Sequence, residues 1–373
     1  MHQHKPVKVI ISGGGTGGHI FPAIAIANAL KTINGNIEIL FVGAKGRMEM
    51  EKVPAAGYKI EALWISGLQR RLTLDNLSFV LKVISSVYKS HRILSRFKPD
   101  VVVGVGGYAS GPLLYAASQR HIPSLIQEQN SYPGITNKLL AKRVDRICVA
   151  YSGMEKYFPK DKILLTGNPV RQDILNLKGK KARAAEFFQL DENKKTVLVI
   201  GGSLGARTIN ESMLKMVNEF AEKNIQLIWQ TGKIFFEQAK TATVNLEKSG
   251  IKVYDFITKM DYAYAIADLV ISRSGASSVS ELSLVNKPTI LIPSPNVAED
   301  HQTKNAMALV THNAAILVKD SEAGETLRAV VFDLINDDSK RIKLQENIAR
   351  LAFKNSADVI ANEVLNLAHK NKN

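Results

Sequence analysis

Two stretches of the chain, one in each half, follow the same plan: a short apolar run, a glycine-rich turn and a helical pattern. The first run is Val7–Ser12 and its turn covers residues 13–19, with Pro22 suited to the first turn of the helix that follows. The second run covers 196–200 and leads into Gly-Gly-Ser-Leu-Gly at 201–205. A strand, a tight glycine turn and a helix open a Rossmann-like domain. The repetition predicts two such domains in tandem.

Other short runs of β-branched residues predict further strands, at 37–42, 100–105, 124–127, 146–150, 225–230, 251–256, 269–272 and 289–292. Most are apolar throughout, which is typical of parallel strands that are buried on both faces. The predicted fold class is therefore α/β, with helices covering both faces of each sheet. The alternation of strands and helices is interrupted near 168–171, where we predict the domain boundary. Residues 339–368 are predicted to be helical.

Composition narrows the class of protein. The 373 residues are 45% hydrophobic and 22% charged, which is typical of a globular rather than a disordered chain. The single cysteine, Cys148, excludes a disulfide framework and a cysteine-rich zinc site, and it fits a reducing cytoplasm. The sequence predicts neither a membrane-spanning helix nor a signal peptide, because it lacks a run of 18 apolar residues and residues 1–6 are polar.

The positive charge is concentrated in the first half of the chain. Residues 1–170 carry 22 Lys and Arg against 10 Asp and Glu, whereas residues 171–373 carry 27 against 24. This excess indicates an anionic partner: nucleic acid, an anionic membrane or phosphorylated ligands. The alternative is a solvated basic surface without a partner.

The glycine turns predict binding of a phosphorylated ligand. Glycine lets backbone N–H groups approach an anion closely, and the N-terminus of the following helix adds partial positive charge. Gly106 and Gly107 supply a third turn of this kind. A tight turn without a ligand remains the alternative for any one of them. Neither main turn continues as Gly-Lys-Ser/Thr, so a P-loop ATPase is disfavoured.

Two polar segments of the second half are suited to a sugar nucleotide. Residues 273–282 have small side chains that would let backbone amides hold a diphosphate, and Glu281 lies one turn into the predicted helix. A carboxylate there can accept hydrogen bonds from both hydroxyls of a ribose, or it can simply be stabilised by the helix dipole. Residues 300–306 offer donors and acceptors for sugar hydroxyls, or alternatively a helix cap.

His19 and Glu128 are the candidates for a general base. His19 ends the first glycine turn at a helix N-terminus, which favours the neutral imidazole that can accept a proton; the alternative is a structural histidine. Glu128 ends a predicted strand and is either a second acid–base candidate or a residue that organises the next loop. The eight histidines show no HxxxH or HExxH spacing, so no built-in zinc site is predicted.

Seven motifs, in this order along the chain, resemble those of the MurG family. They are Gly-Gly-Thr-Gly-Gly-His at 14–19, Gly-Gly-Tyr at 106–108, Glu-Gln-Asn at 128–130, Gly-Asn-Pro-Val-Arg at 167–171, Gly-Gly-Ser at 201–203, Arg-Ser-Gly-Ala at 273–276 with Glu281, and Asp-His-Gln at 300–302. The resemblance spans nearly the whole chain. It implies an inverting transfer of N-acetylglucosamine from UDP-N-acetylglucosamine to the 4-hydroxyl of a lipid-linked muramyl-pentapeptide in peptidoglycan synthesis, with no cofactor and no structural metal.

The resemblance also implies the GT-B arrangement of two Rossmann-like domains with a cleft between them. Residues 1–168 would form the acceptor and membrane-facing domain, with a C-terminal helix at about 350–373 packing back on it, and residues 169–349 would bind the UDP-sugar. The implied partners are UDP-N-acetylglucosamine, the undecaprenyl-diphosphate-linked muramyl-pentapeptide, an anionic membrane surface and other cell-wall synthesis proteins, but no nucleic acid. The protein would be peripheral, on the cytoplasmic face of the bacterial inner membrane.

Residue by residue, the resemblance implies the following contacts. Thr16, Gly17 and Gly18 would lie by the donor sugar and the acceptor diphosphate, and Asn130 would contact the N-acetylglucosamine. Arg171 and Ser203 would contact the nucleotide and diphosphate, Ile257 the uracil through its backbone, and Gln302 the sugar hydroxyls. Ala276, Ser277, Ser278, Val279 and Ser280 would lie along the nucleotide and its phosphates, and Glu281 would hold the ribose. His19 is the first choice of base and Glu128 the second. Many relatives have His where this chain has Gln127, so no catalytic role is carried to that position.

Residues 68–98 predict the membrane contact. Apolar residues alternate there with seven basic ones and a single acid, Asp75, in a stretch too short and too interrupted to span a bilayer. The basic residues are Arg70, Arg71, Lys82, Lys89, Arg92, Arg96 and Lys98. Anionic lipid attracts each such residue near its surface by about 1 kcal/mol. The alternative is a helix that packs on the sheet and exposes a solvated basic face.

Three rival functions remain open from the sequence. A GT-B enzyme that glycosylates a diacylglycerol lipid is one, although the turn at 14–19 argues against it. A NAD-dependent oxidoreductase is the second, because Gly13, Gly15 and Gly18 match G-x-G-x-x-G and Glu38 follows about 20 residues later. No catalytic constellation accompanies Glu38. A nucleic-acid-binding module is the third, since the charge permits it, but no recognisable motif is present.

Overall fold

The structure, a computed structural model, describes residues 5–67, 75–171, 174–202 and 205–370. Two compact units divide the chain. The first comprises Met1–Arg171 together with Asn355–Asn373, and the second comprises Gln172–Lys354. Each unit contains one parallel sheet with helices between its strands, which confirms the predicted α/β class.

The strands are β1 (Val7–Ser12), β2 (Ile37–Ala44), β3 (Lys59–Leu63), β4 (Val101–Gly104), β5 (Ser124–Glu128), β6 (Arg146–Val149), β7 (Ile163–Leu165), β8 (Thr196–Ile200), β9 (Gln226–Gln230), β10 (Ile251–Tyr254), β11 (Leu269–Ser272), β12 (Thr289–Leu291) and β13 (Ile316–Leu317). The helices are α1 (Gly17–Ile33), α2 (Glu49–Ala55), α3 (Asp75–Phe97), α4 (Ser110–Gln119), α5 (Ile135–Leu140), α6 (Lys181–Phe188), α7 (Arg207–Glu222), α8 (Lys233–Thr243), α9 (Met260–Ile266), α10 (Ala276–Val285), α11 (His301–Val310), α12 (Ala323–Asn336), α13 (Asp338–Ala349) and α14 (Ser356–Lys370).

The sheet of the first unit has the strand order β3-β2-β1-β4-β5-β6-β7. Successive side chains of β1 point to opposite faces of the sheet, as in any pleated strand. Val9 and Ile11 join the apolar layer formed with α1 and α14, whereas Ile10 joins the layer formed with α3 and α4. A strand that is buried on both faces reads as a continuous apolar run, which is why the sequence predicts β1 with its observed bounds.

The second unit repeats this plan with the order β10-β9-β8-β11-β12-β13. Val197 and Val199 of β8 pack in the core with residues of α7 and α12. Fully buried Trp229 of β9 donates its indole N–H to Asn210 Oδ1 of α7 at 3.0 Å, so that this polar group is satisfied inside the core.

The C-terminal segment 339–368, which the sequence pattern treats as one helical stretch, contains two helices. The break between α13 and α14 falls at 350–355, because the apolar faces of the two helices are buried in the cores of different units. Leu344 of α13 joins the core of the second unit. Ile360 and Val364 of α14 join the core of the first unit, where α14 packs against α1.

Cys148 lies in β6 with its side chain fully buried, and burial raises the pKa of its thiol. Because the thiolate is the reactive form, we expect iodoacetamide to alkylate the native protein at least about 100-fold more slowly than the urea-unfolded chain at pH 8. Intact-mass spectrometry at timed intervals measures both rates. Equal rates in the two states would contradict the placement of Cys148 in the core.

Candidate active site

The glycine turns of the first unit lie at one place in its sheet. β1 and β4 are neighbours, and the strand order reverses between them. Ligands of open parallel sheets bind outside the carboxyl ends of the strands at this switch point. The loops at 13–19 and 105–109 follow these two strands. We call them together the N-terminal site.

The two loops of the N-terminal site pack directly on each other, and this requires glycine. Gly15, Gly106 and Gly107 have φ values of +86°, +95° and +86°. A Cβ at Gly107 would overlap the carbonyl oxygen of Gly14, and one at Gly106 would lie 2.6 Å from Cδ2 of His19. The close approach therefore fixes the His19 ring against the second loop.

The His19 imidazole is oriented by the loop that precedes it. Its Nδ1 lies 3.1 Å from the carbonyl oxygen of Gly14 and 3.3 Å from Thr16 Oγ1. A carbonyl only accepts hydrogen bonds, so a hydrogen bond to Gly14 requires the proton on Nδ1, and in the neutral imidazole the lone pair is then on Nε2. The half-buried ring thus has the tautomer that a base acting through Nε2 needs.

A carboxylate that the sequence analysis missed lies behind the first loop. Glu49, the first residue of α2, is fully buried. Its Oε2 accepts from the Gly15 N–H at 2.8 Å, and its Oε1 accepts from the Ala44 N–H at 2.9 Å. Gly14 and Gly43 leave room for it, since a Cβ at Gly43 would lie 2.5 Å from Glu49 Cγ. Both of these partners are backbone groups, which leave no trace in a sequence.

Glu128 has the contacts of a loop organiser. Oε1 accepts from the backbone and side-chain amides of Asn130 at 2.9 and 3.3 Å, and Oε2 accepts from Gly134 N–H at 3.1 Å and Asn137 Nδ2 at 2.8 Å. Burial raises the pKa of the Glu128 carboxyl, although these four hydrogen bonds act in the opposite direction. The arrangement favours the loop-organising alternative, with Asn130 as the residue that Glu128 holds in place.

Gln127 belongs to a buried network of amides. Its Nε2 donates to Asn168 Oδ1 at 2.9 Å, and its Oε1 accepts from Gln129. Gln129 Nε2 also donates to the carbonyl of Val105 at 2.7 Å, and Asn168 Nδ2 donates to the Gln129 carbonyl at 2.9 Å. The network ties the end of β5 to the second glycine loop. Gln127 therefore acts as a structural hydrogen-bonding residue.

The second unit has an equivalent place, where β8 and β11 end side by side. We call the loops at 201–206 and 273–276 the C-terminal site. Gly202 and Gly205 have φ values of +82° and +79°, and a Cβ at Gly205 would overlap the carbonyl oxygen of Thr231. The loop leads into α7. Ser203, which the resemblance places at the nucleotide, lies outside the described residues.

The N-terminus of α10 presents backbone groups rather than side chains. Gly275 is its N-cap, and the side chains of Ala276 and Val279 are buried. Ser280 Oγ donates to the Ala276 carbonyl at 3.0 Å. Ser277 Oγ is buried and has no hydrogen-bond partner in the described part of the chain. Within 276–280, the donors suited to a diphosphate are therefore the backbone N–H groups of the first turn, which have no partner inside the helix.

Glu281 lies in the second turn of α10 and is half-buried. Its carboxylate is oriented by a hydrogen bond from another helix. The hydroxyl of Tyr264, a fully buried residue of α9, donates to Glu281 Oε2 at 3.1 Å. The side chain is thus fixed by tertiary contact, which the helix-dipole alternative does not require.

Ile257 has one of its two backbone polar groups engaged. Its N–H donates to Gln230 Oε1 at 2.9 Å, and Gln230 Nε2 in turn donates to the Gly202 carbonyl at 3.3 Å. The N–H is therefore occupied, and the carbonyl is the backbone group of Ile257 that is suited to accept from a ligand. Gln230 links this position to the glycine loop after β8, a connection that the sequence did not predict.

Gln302 is oriented by the loop that follows β12. Its Oε1 accepts from the Ser294 N–H at 2.9 Å, which leaves Nε2 to act as a donor. Glu299 and Asp300, three and two residues before it, have φ values of +56° and +50°. Left-handed backbone at a non-glycine residue costs about 1–3 kcal/mol, and such strain is concentrated at binding sites.

An ion pair that was not predicted joins three elements of the C-terminal site. Arg273, at the end of β11, pairs with Asp320 and donates to the carbonyls of Ile292 and Pro293 at 3.0 and 3.1 Å. Asp320 Oδ2 also accepts from Thr208 Oγ1, in the first turn of α7, at 2.9 Å. The pair holds the start of α7 beside the ends of β11 and β12.

The other predicted contact residues are placed as follows. Thr16 is the exposed N-cap of α1, and Gly17 and Gly18 form its first turn. Arg171 is the last residue of the described range 75–171 and is half-buried. Within the described ranges, no group of three His, Cys, Asp or Glu side chains is placed to hold a metal ion.

Known proteins match this chain over both units. The N-terminal domain of glycosyltransferase family 28 matches residues 9–149, and the C-terminal domain of that family matches residues 196–363. A protein of Flavobacterium psychrophilum is 55% identical over 98% of this chain and 99% of its own length. Its name is UDP-N-acetylglucosamine--N-acetylmuramyl-(pentapeptide) pyrophosphoryl-undecaprenol N-acetylglucosamine transferase.

Two further matches agree with these. A protein of the same name from Cytophaga hutchinsonii is 54% identical over 100% of both chains. The crystal structure of Acinetobacter baumannii MurG is 27% identical and has a TM-score of 0.80, with 97% of this chain and 100% of that chain covered.

Proposed function

This chain belongs to glycosyltransferase family 28, and on that premise we propose that it transfers N-acetylglucosamine from UDP-N-acetylglucosamine to the lipid-linked muramyl-pentapeptide. One observation carries the proposal: identity of 55% over 98% of the chain to a protein named for this transfer. The match extends over both units, which favours glycosyl transfer over a dinucleotide oxidoreductase and over nucleic-acid binding.

The C-terminal site takes the donor. The carbonyl of Ile257 accepts from uracil, and Glu281, held by Tyr264, accepts from the ribose hydroxyls. The N-termini of α7 and α10 present the diphosphate with first-turn N–H groups, which lack intrahelical partners, and with partial positive charge. Gln302, whose Oε1 is already engaged, donates from Nε2 to a sugar hydroxyl.

The N-terminal site takes the acceptor diphosphate. The N–H of Gly15 is turned towards Glu49, so phosphate oxygens are bound by the amides that follow, at Thr16, Gly17 and Gly18. These lie at the start of α1, where the helix dipole favours an anion. His19 is then the titratable side chain nearest in sequence to that anion.

The reaction inverts the anomeric carbon. The 4-hydroxyl oxygen of the muramyl sugar attacks that carbon from the side opposite UDP, and its proton passes to Nε2 of His19. The bond from the anomeric carbon to the β-phosphate oxygen breaks, and its electron pair leaves with UDP. Helix N-termini and Arg171 stabilise the charge that develops on the diphosphate. Glu128 keeps Asn130 in place for the N-acetyl sugar.

A single assay tests the proposed function. The full chain is incubated with UDP-N-acetylglucosamine and a short-chain analogue of the lipid-linked muramyl-pentapeptide. Mass spectrometry should show addition of one N-acetylhexosamine, and NMR should show a β linkage formed from the α-linked donor. Diacylglycerol replaces the acceptor in the control. Transfer to diacylglycerol but not to the muramyl-pentapeptide would reject the proposal in favour of the rival enzyme.

We propose α3 as the membrane contact of the enzyme. Exposed apolar side chains follow one another along it: Val80 (54% exposed), Leu81, Ile84 and Tyr88 (66%). Exposed Trp64 lies beside them, since Ser86 Oγ donates to its carbonyl at 3.0 Å. The part of the chain that the structure describes contains no helix long and apolar enough to cross a membrane.

The short helix α5 of the same unit also exposes apolar side chains. Ile135 and Leu139 of α5 are 63% and 73% exposed, and both α3 and α5 pack against α4. Lys82 and Lys89 of α3 supply positive charge, whereas Arg96 is paired with Glu61. Arg70 and Arg71 lie outside the described residues. Apolar side chains with basic neighbours are suited to an anionic lipid surface.

Replacing Leu81 and Ile84 together by Gln should weaken binding to anionic vesicles by roughly 100-fold. Burial of an aliphatic side chain contributes about 1.5–3 kcal/mol, so two of them account for a loss of at least this size. Co-sedimentation with phosphatidylglycerol vesicles measures it. The matched control replaces Ile234 and Val244 of the second unit, which are also exposed, and should bind like the parent.

The charge contribution is tested by a variant in which Arg70, Arg71, Lys82 and Lys89 are replaced by Gln. At low salt, where charges are least screened, its binding to vesicles should be weaker than that of the parent. Turnover of a water-soluble acceptor should be retained, because these charges attract the lipid surface and take no part in the reaction. If both the apolar and the basic variant bind vesicles like the parent, this surface is not the membrane contact.

A further inference from the structure

We propose that Glu49 is a positioning residue for His19 and that it acts through the peptide group between Gly14 and Gly15. The inference rests on the proposed function, in which His19 is the base. It assigns a task to a buried carboxylate that neither the sequence motifs nor the substrate contacts involve.

The geometry consists of two hydrogen bonds to one peptide. The N–H of Gly15 donates to Glu49 Oε2 at 2.8 Å. The carbonyl oxygen of the same peptide, that of Gly14, lies 3.1 Å from Nδ1 of His19 and accepts from it. A trans peptide is planar and directs its N–H and C=O to opposite sides. The carboxylate therefore fixes the plane of the peptide, and the peptide fixes the imidazole.

The carboxylate end of this arrangement is rigid. Glu49 is fully buried, and its second oxygen is anchored by the Ala44 N–H at 2.9 Å, at the end of β2. Its side chain occupies the space left by Gly14 and Gly43, because a Cβ at either glycine would overlap it or crowd it. Rotation of the Gly14–Gly15 peptide would leave a buried carboxylate oxygen without its donor, which is costly.

The chemical consequence concerns the basicity of His19. A carboxylate that accepts from an amide N–H polarises the amide, so that its carbonyl becomes a stronger acceptor for Nδ1–H. This stabilises the imidazolium that forms when Nε2 takes the proton, as a direct carboxylate partner does in other histidine sites. The loops that meet at the ring, at 13–19 and 105–109, carry one other titratable side chain, Tyr108, which is half exposed. Glu128 ends the neighbouring strand β5 and is held by its four donors.

The first test needs no activity. The full chain is labelled with ¹⁵N-histidine, and the imidazole resonances of His19, assigned by their loss in His19→Ala, are measured from pH 5 to 9. The proposal requires the Nδ1–H tautomer at neutral pH in the parent protein. The Nε2–H tautomer there would overturn the proposal without any variant at Glu49 being made.

The second test replaces Glu49 by Gln. The side chain keeps its shape, but its NH₂ group faces one of the two backbone N–H donors, Gly15 or Ala44, and cannot accept from it. We expect kcat to fall about 10- to 100-fold, as for other partners of functional histidines. The acid limb of the pH profile should move to lower pH, and the His19 resonances should titrate correspondingly lower. The control is Glu51→Gln, an exposed residue of the same helix, which should behave like the parent.

The outcomes separate the possible failures. A lower kcat with an unmoved pH profile and unchanged His19 resonances would make Glu49 merely structural and reject the proposal. If Glu49→Gln does not fold, the same measurements are made on Glu49→Asp. Together with the tautomer of His19 in the parent protein, they decide whether the proposal holds. A parent protein that binds UDP-N-acetylglucosamine but transfers nothing would refute the proposed function, while the NMR titration would still test the link from Glu49 to His19.

Discussion

His19→Ala is expected to lower kcat by about 10²–10⁴-fold while the affinity for UDP-N-acetylglucosamine stays within about threefold. A positioned base contributes this much, which corresponds to roughly 3–5 kcal/mol of the barrier. The structure supports the role by the Nδ1 contact to Gly14 and by the loop of Gly106 that the ring packs against. Steady-state kinetics from pH 6 to 9, with both substrates varied, measures kcat and each KM.

The pattern of the kinetic constants distinguishes a base from a binding residue. Loss of a base lowers kcat and removes its dependence on pH, whereas loss of a binding contact raises the KM of the acceptor and leaves kcat nearly intact. His369→Ala, at the exposed end of α14, is the matched control. If kcat of His19→Ala survives within about threefold, His19 is structural or binds the acceptor, and Glu128 becomes the leading candidate for the base.

The sequence predicted the two sheets well because buried parallel strands are apolar throughout. It missed β3, β7 and β13, all of which are short and lie towards sheet edges. Lys59–Leu63 alternates polar and apolar residues, and Ile316–Leu317 has only two residues, so neither resembles the central strands. Edge strands pair on one side only, and tertiary contacts decide whether such weak patterns become strands.

The glycine turns of the candidate site were recognisable in the sequence, whereas the side chains packed around them were not. Gly106 and Gly107 are recognisable because a positive φ and a close approach both require glycine. Glu49 has no such signature, since its two oxygens accept from backbone N–H groups that every sequence has. Glu128 was left between two roles for a related reason: its donors lie two to nine residues further along the chain, and only the folded loop brings them together.

The hydrogen-bond network of the C-terminal site was not visible in the sequence either. Gln230 meets both the N–H of Ile257 and the carbonyl of Gly202, although these three residues belong to separate segments of the chain. Arg273 is part of a sequence motif, but its partner Asp320 lies 47 residues away. Contacts of this range follow from the strand order, which places β8, β11 and β12 side by side.

Glu281→Gln is expected to weaken binding of UDP by about 5- to 150-fold without loss of fold. A carboxylate that accepts from two hydroxyls makes charge-assisted hydrogen bonds, and removing its charge costs roughly 1–3 kcal/mol. The Gln side chain can still accept from Tyr264, so the local packing is retained. Calorimetric titration with UDP measures the affinity, and thermal unfolding checks the fold. Glu325→Gln, an exposed residue of α12, is the matched control and should bind UDP like the parent.

The ribose assignment is tested separately by removing the hydroxyl instead of the carboxylate. If Glu281 holds the ribose, 2′-deoxy-UDP should bind the parent protein more weakly than UDP does, whereas Glu281→Gln should discriminate much less between the two. This double-mutant cycle isolates the energy shared by the carboxylate and the hydroxyl, because effects of independent sites would simply add. Equal discrimination by parent and variant would show that Glu281 does not touch the ribose. Its contact with Tyr264, which Gln can also make, would then be its main role, and the variant should match the parent in both thermal stability and affinity for UDP.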